Sequence, residues 1–277
     1  MEEYYFLFAL AFIWTAIAVF VDLKKREVPN WLNFSLIAFA LAYRAFYSIH
    51  VNDYSFFFFG AVGFCVFFAL AYGFYYARAF AGGDAKLLMG FGVILPYSNF
   101  SDLFYYGLVF LFGLFFLGVI YSLIYSVFIV LKRKEKFIKE FSGNLKRNYK
   151  LAGIFLALTV LADLLFSRGV ISMFYLSIAL LYFYVKSLDK CMIVKLPASK
   201  LSEGDWLDKE VRVGNKMIGR SVHGLSIKDI AILKKNDKEV YIKEGIPFTP
   251  AFLLSLIMVF FFLILEVDVL RLFSFLG

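Results

Sequence analysis

Charged residues are scarce in this chain. Asp, Glu, Lys and Arg make up 18% of its 277 residues, whereas 62% are hydrophobic, with 37 Phe among them. Soluble domains carry about 45–50% apolar residues, so an ordinary soluble globule is excluded. Cysteine is also scarce. Cys65 and Cys191 stand alone with no Cys-x-x-Cys, which argues against a disulfide framework and a zinc cluster. The two histidines, His50 and His223, are isolated and read as an interfacial and a surface residue; neither a metal site nor a cofactor is expected. No internal repeat or low-complexity linker interrupts the chain. A cleavable leader is not expected either. The first apolar run begins at Tyr4 without a basic segment before it and is followed directly by Asp22 and Lys24-Lys25-Arg26, the pattern of a retained helix.

What is present is a set of long apolar runs, at about 4–21, 31–49, 56–76, 85–97, 102–131, 151–166, 170–186 and 248–265. Each is nearly free of charge, as a lipid-facing helix must be. The expected fold is a polytopic α-helical membrane protein with about eight transmembrane helices. The run 85–97 is short, about 20 Å of helix against a hydrocarbon core of about 30 Å. The run 102–131 is long enough to tilt or to project from the membrane.

The net charge of +8 serves orientation before any nucleic-acid partner, and none is expected. With the N-terminus outside, the cytoplasmic loops hold Lys24, Lys25 and Arg26, then Arg78 and Lys86, then the cluster from Lys132 to Lys150. The opposing short loops hold only Arg168. That asymmetry fits the positive-inside rule. The protein is therefore expected in the cell membrane, in contact with lipid.

Between Ser187 and Gly245 the chain becomes densely charged. Val211-Arg212-Val213 and Val240-Tyr241-Ile242 alternate as strands do, Gly214-Asn215 offers a turn, and residues 225–233 have helical apolar spacing. These features predict a helical core over 1–186, a small α+β cytoplasmic domain over 187–246 inserted before the last helix, and a final helix with a short outer tail over 247–277.

The informative residues are acids beside apolar runs, because a carboxylate in hydrocarbon is costly. Asp22 ends the first run and Asp84 begins the fourth. In the topology above both lie at the cytoplasmic ends of their helices, so two acids distant in sequence share one depth. Two carboxyls about 3 Å apart cannot both ionise. The ionised one can activate water and the protonated one can polarise a carbonyl. Ala81-Gly82-Gly83 precedes Asp84, and the two glycines allow a tight turn and close approach of another chain. Taken singly, each acid also has a plain reading: Asp84 as a helix N-cap after a glycine turn, and Asp22 as an interfacial acid beside a basic anchor. Gly204-Asp205 repeats the Gly-Asp pair, but it lies in the polar stretch and reads as a surface turn. Asp163, Glu266 and Asp268 read as acids at outer helix ends.

Asp22-Leu23-Lys24-Lys25-Arg26-Glu27-Val28-Pro29-Asn30 resembles the first catalytic segment of the prepilin peptidases: Asp, a basic residue, then Ile/Val-Pro-Asn. Ala81-Gly82-Gly83-Asp84-Ala85-Lys86 is similar to their G-x-G-D-x-K segment. The resemblance departs at Ala81, where the family has glycine. Leu201 to Asp205, Gly224 to Ser226 with Asp229-Ile230, and Gly245 to Pro250 resemble the archaeal branch, which carries a soluble domain before its last helix.

The resemblance implies a metal-free membrane aspartic endopeptidase with Asp22 and Asp84 as its catalytic acids. Ala81, Gly82, Gly83 and Lys86 would form the supporting loop. The implied substrates are pilin-like or archaellin precursors, whose basic leaders are removed at the cytoplasmic face. The Cys-x-x-Cys segment that goes with methyltransferase activity in bacterial relatives is missing, so the resemblance implies peptidase activity only. The rival reading is an ion- or proton-coupled transporter, or a non-catalytic assembly protein, in which the two acids bind cations or hold helices together. A transporter site, however, usually lies near the midplane between related halves.

Overall fold

The computed structural model describes residues 2–166, 169–214, 216–219, 221 and 224–265. Arg168, Asn215, His223, Glu266 and Asp268 lie outside the described residues. The helices are α1 (Glu2–Lys25), α2 (Asn30–Val51), α3 (Ser55–Tyr76), α4 (Gly82–Ile94), α5 (Phe100–Lys132), α6 (Lys134–Arg147), α7 (Tyr149–Phe166), α8 (Gly169–Cys191), α9 (Ile227–Lys235) and α10 (Thr249–Ile264). The strands are β1 (Ile193–Pro197), β2 (Trp206–Leu207), β3 (Val211–Val213), β4 (Lys216–Ile218) and β5 (Glu239–Lys243).

Each of the eight apolar runs is helical, and the protein is a polytopic helical membrane protein. Helices α1, α2, α3, α5 and α8 are long and apolar enough to cross a membrane. The pair α6 and α7, bent by 79°, adds a sixth candidate span. With 13 residues α4 is shorter, as is α10 with 16.

The chain packs as two units, Met1–Leu123 with Ile246–Gly277, and Ile124–Gly245. In the first unit the helix ends follow from backbone chemistry. Arg26 adopts a left-handed φ of 59° and its N–H donates to the carbonyl of Asp22 at 2.8 Å, which closes α1. Pro29 is extended, with φ −61° and ψ 138°, and α2 starts directly after it, its ring fitting the entry to a helix but not the interior. Helix α4 stops at Leu95 because Pro96 forces the preceding residue into an extended conformation, ψ 150°.

Helix α4 forms the core of this unit. Ala85, Leu87, Leu88 and Phe91 to Ile94 are buried. Phe91 stacks on Phe110 at 4.6 Å and on Phe252 at 5.7 Å. Gly92 lies against the backbone of Gly63 on α3. A methyl group on Gly92 would sit 2.5 Å from the Gly63 carbonyl oxygen, so only glycine permits this approach. The far end of α4 is held by Arg44 of α2, which is fully buried. Its Nε donates to Val93 O at 2.7 Å, its Nη2 to Leu95 O at 2.7 Å and its Nη1 to Phe56 O at 2.6 Å. The planar guanidinium can serve three carbonyls at once, and it also lies over the rings of Phe56 and Tyr4.

The second unit holds α6 to α9 and both sheets. Strands β1, β5 and β2 form an antiparallel sheet in that order, with Val194 opposite Ile242 and Leu207 opposite the same residue on the other edge. Strands β3 and β4 form a separate hairpin that pairs Val211 with Ile218. Leu201, Leu207, Val213, Leu225, Leu233, Val240 and Ile242 share one small apolar core. Ser226 caps α9 by accepting from the Asp229 N–H at 3.2 Å. The basic stretch after α5 is not the plain loop its charge suggests. It forms α6, whose Asn144 is buried and donates to Ser187 on α8 at 3.0 Å.

Candidate active site

Three segments of the first unit meet around two carboxyl groups: the turn from α1 into α2, the first turn of α4, and the start of α10. Asp22 lies in the last turn of α1, inside the helix rather than at its end, and is 7% exposed. Its Oδ2 accepts from the Thr249 hydroxyl at 2.8 Å and from the Thr249 N–H at 3.4 Å. The charge of Arg26 also reaches it.

Asp84 is the third residue of α4 and is partly exposed. The cap position belongs to Ala81, so the N-cap reading of Asp84 is corrected: the helix begins before the acid, at Gly82. The supporting loop expected at Ala81, Gly82 and Gly83 is likewise an N-cap and the first helical turn. Ala81 has φ −70° and ψ 163°, a conformation open to any L-residue. Alanine in place of the family's glycine therefore carries no backbone penalty. Gly82 and Gly83 also have negative φ, and they differ in their surroundings. A Cβ on Gly82 would make only an ordinary contact with Tyr75, at 3.7 Å. One on Gly83 would press on Val28 Cβ at 3.2 Å. The need for glycine at 83 comes from close approach, not from turning.

The two sequence segments are locked to each other. Val28 packs on Gly83, the Asn33 amide donates to the Gly83 carbonyl at 3.3 Å, and Lys86 donates to the Asn30 side chain at 2.6 Å. Asp22 and Asp84 are thereby brought within electrostatic range, and the charge of Asp22 acts on Asp84. Such a pair can divide acid and base work, with one carboxylate taking a proton from water and one carboxylic acid giving a proton to a carbonyl oxygen.

The other acids are elsewhere. Asp205 closes a local turn by accepting from the Ser202 N–H at 2.8 Å, beside Gly204 with φ 91°. Asp163 is exposed on α7. His50 is exposed in the last turn of α2, and both cysteines are free thiols. Sequence reasoning missed Thr249 and Asn33 as neighbours of the pair. A threonine before a proline at the start of an apolar run does mark a helix start, but nothing local connects it to Asp22. Asn33 is a lone amide among apolar residues and carries no motif.

Fold and site together define a polytopic helical membrane protein with two acids gathered at the start of a short, deeply packed helix. The pattern of the type IV leader peptidase family matches residues 9–123, a stretch that includes both acids and the glycines before the second. Over 92 residues, 33% of this chain, the sequence is 35% identical to a preflagellin peptidase of Methanocaldococcus jannaschii, covering 39% of that protein. It is 31% identical over 80 residues, 29% of this chain, to a preflagellin peptidase of Methanococcus maripaludis, covering 34% of that protein. The chain thus matches little more than a third of the length of these curated relatives. No solved structure matches it.

Proposed function

We propose that this protein is an integral membrane aspartic endopeptidase that removes the basic leader of archaellin or type IV pilin-like precursors. The observation that carries the reading is the docking of the Asp22–Asn33 segment onto the Gly82–Lys86 turn, through Val28, Asn30 and Asn33. That docking draws two acids from distant parts of the chain towards each other, and the matched family is described as type IV leader peptidases and the matched relatives as preflagellin peptidases.

In the proposed reaction, water held between the carboxyls loses a proton to the ionised acid and its oxygen attacks the scissile carbonyl carbon. The protonated acid gives its proton to the carbonyl oxygen. Collapse of the tetrahedral intermediate breaks the C–N bond. The leaving nitrogen takes the first proton, and the diol returns the second to the acid that gave it. Neither a metal nor a nucleophilic side chain takes part.

The proposed topology has eight crossings, with the N-terminus outside and the acids at the cytoplasmic face. Its parity is supported by the Thr249–Asp22 hydrogen bond. The end of α1 and the start of α10 must share one side, so the crossings between them must be even in number, as α2, α3, α4, α5, α7 and α8 supply. In this reading residues 1–186 form the membrane core, 187–246 the cytoplasmic domain, and 247–277 the last helix and its outer tail. A leader that stays cytoplasmic while its hydrophobic helix lies in the membrane meets the acids at that boundary.

The test is processing of a pre-archaellin or prepilin by membranes containing the protein. Asp22→Asn and Asp84→Asn should each lower the rate by at least ~10²-fold. Processing unchanged in either variant would overturn the assignment.

A further inference from the structure

Thr249 donates twice to one oxygen of Asp22, and among the described residues Asp84 has no comparable set of donors. From this asymmetry we propose that Thr249 is a positioning residue that fixes Asp22 as the water-activating carboxylate, which leaves Asp84 to protonate the scissile carbonyl. The inference rests on the peptidase reading above and deepens it, because it assigns different tasks to the two acids.

Thr249 is fully buried and is the first residue of α10. The N–H groups of a helix's first turn have no partners within the helix, and Pro250 removes one of them altogether. The Thr249 N–H instead points to Asp22 Oδ2 at 3.4 Å, and the threonine hydroxyl reaches the same atom at 2.8 Å. The backbone of Phe248, the residue before the helix, also acts on this carboxylate. Asp22 therefore sits where a helix N-terminus binds an anion, with a hydroxyl added.

Hydrogen bonds to an ionised acceptor are about twice as strong as neutral ones. In a pair that shares a single proton, the member with more donors keeps the negative charge. Among the described residues, the one hydrogen bond acting on Asp84 comes from the backbone of Ala81 in its own turn. The donors of α10 thus separate two acids that would otherwise be interchangeable. They also fix the rotamer of Asp22, because its Oδ2 is tied to a residue 227 positions away.

The test compares Thr249→Val, Thr249→Ser and Thr249→Ala with wild type in the leader-processing assay, with kcat and KM measured separately and thermal melting followed in parallel. Valine keeps the shape of threonine and removes the donor, whereas serine keeps the donor and loses a methyl group. If the hydroxyl positions Asp22, Thr249→Val and Thr249→Ala should lower kcat about 10- to 100-fold with KM little changed, and Thr249→Ser should stay within about threefold of wild type.

A residue that only packs would give the opposite order, with valine active and serine impaired. That order, or wild-type kcat in the valine variant, overturns the proposal. The alanine variant reads the same loss if valine fails to accumulate. Asp22→Asn and Asp84→Asn in the same assay separate the two claims. If both are dead while Thr249→Val is active, only the role of Thr249 falls. If either still cuts, the peptidase assignment falls first.

Discussion

The helices around Asp84 and those of the second unit differ most plainly at their glycines. In the first unit, Gly63 and Gly92 hold two helix backbones in contact. A side chain on Gly113 would collide with Met258, and one on Gly118 would meet the Phe248 ring at 2.6 Å. In the second unit, Gly143 on α6 and Gly153 on α7 would present a side chain to nothing within 4 Å. The same contrast appears in the large residues. Leu88, Phe91 and Phe110 are fully buried, whereas Leu164 on α7 is 75% exposed and Val170 on α8 is 78% exposed. Lipid tails are as apolar as leucine, so helices in a membrane gain little by hiding leucine from them. They associate through close backbone approach and internal hydrogen bonds. By that measure the helices that carry the two acids form a fixed frame, and α7 and α8 present their apolar surface outward.

Arg44 offers the strongest way to break that frame. Arg44→Met keeps most of the bulk but leaves the carbonyls of Val93, Leu95 and Phe56 without their donor. A buried carbonyl left without its donor costs about 1–3 kcal/mol, so we expect a loss of about 3–5 kcal/mol over the three, read as a fall in melting temperature in detergent together with loss of leader processing. Gly92→Ala should cost about 1–3 kcal/mol by overpacking against Gly63, visible in the same melt. A melt unchanged from wild type would contradict the backbone contact.

Ser226→Ala, in the second unit, should cost about 1 kcal/mol by uncapping α9. It should leave the melting of the first unit unchanged, which amide exchange can resolve. The Ser226 hydroxyl, and after it Lys216, holds the Asp229 carboxyl below its ordinary value of 3.8. That contribution is present above about pH 4 and is lost as the pH falls through the folded-state value. The protection of α9 should therefore drop on acidification in wild type and much less in Asp229→Asn. An effect of opposite sign belongs to Gly153→Ala, which should stabilise α7 by up to about 1 kcal/mol. A large loss there would show α7 to be as tightly packed as α4. Ala81→Gly should leave processing within about twofold of wild type, because the backbone at 81 does not need glycine.

Much of the helical layout is legible in the sequence, because long apolar runs have few alternatives in a bilayer. The strands at Val211 and Val240 are legible from alternation alone. The two acids are legible because charge beside an apolar run is costly. Other features resisted for identifiable reasons. The charge of α6 hides helically spaced Phe137, Phe141 and Leu145, so it reads as a loop. Helix α4 begins at Gly82 rather than Ala85, because glycine carries little helix signal even where packing makes it helical. Arg44 passes unnoticed in the sequence, since a single cation in an apolar run gives no hint of three carbonyl partners. The contact of Thr249 with Asp22 spans 227 residues, and no local pattern encodes it.

The anchoring of α4 at its far end limits how the site can open. Arg44 fixes the carbonyls at Val93 and Leu95, and Asp84 lies at the opposite end of the same short rod. At 1.5 Å per residue the lever from Val93 back to Asp84 is about 14 Å, so a 1 Å separation of the acids needs a tilt of only about 4°. Any widening between the carboxyls through α4 must come as a swing about that mooring, with the largest travel at Asp84 and almost none at the arginine.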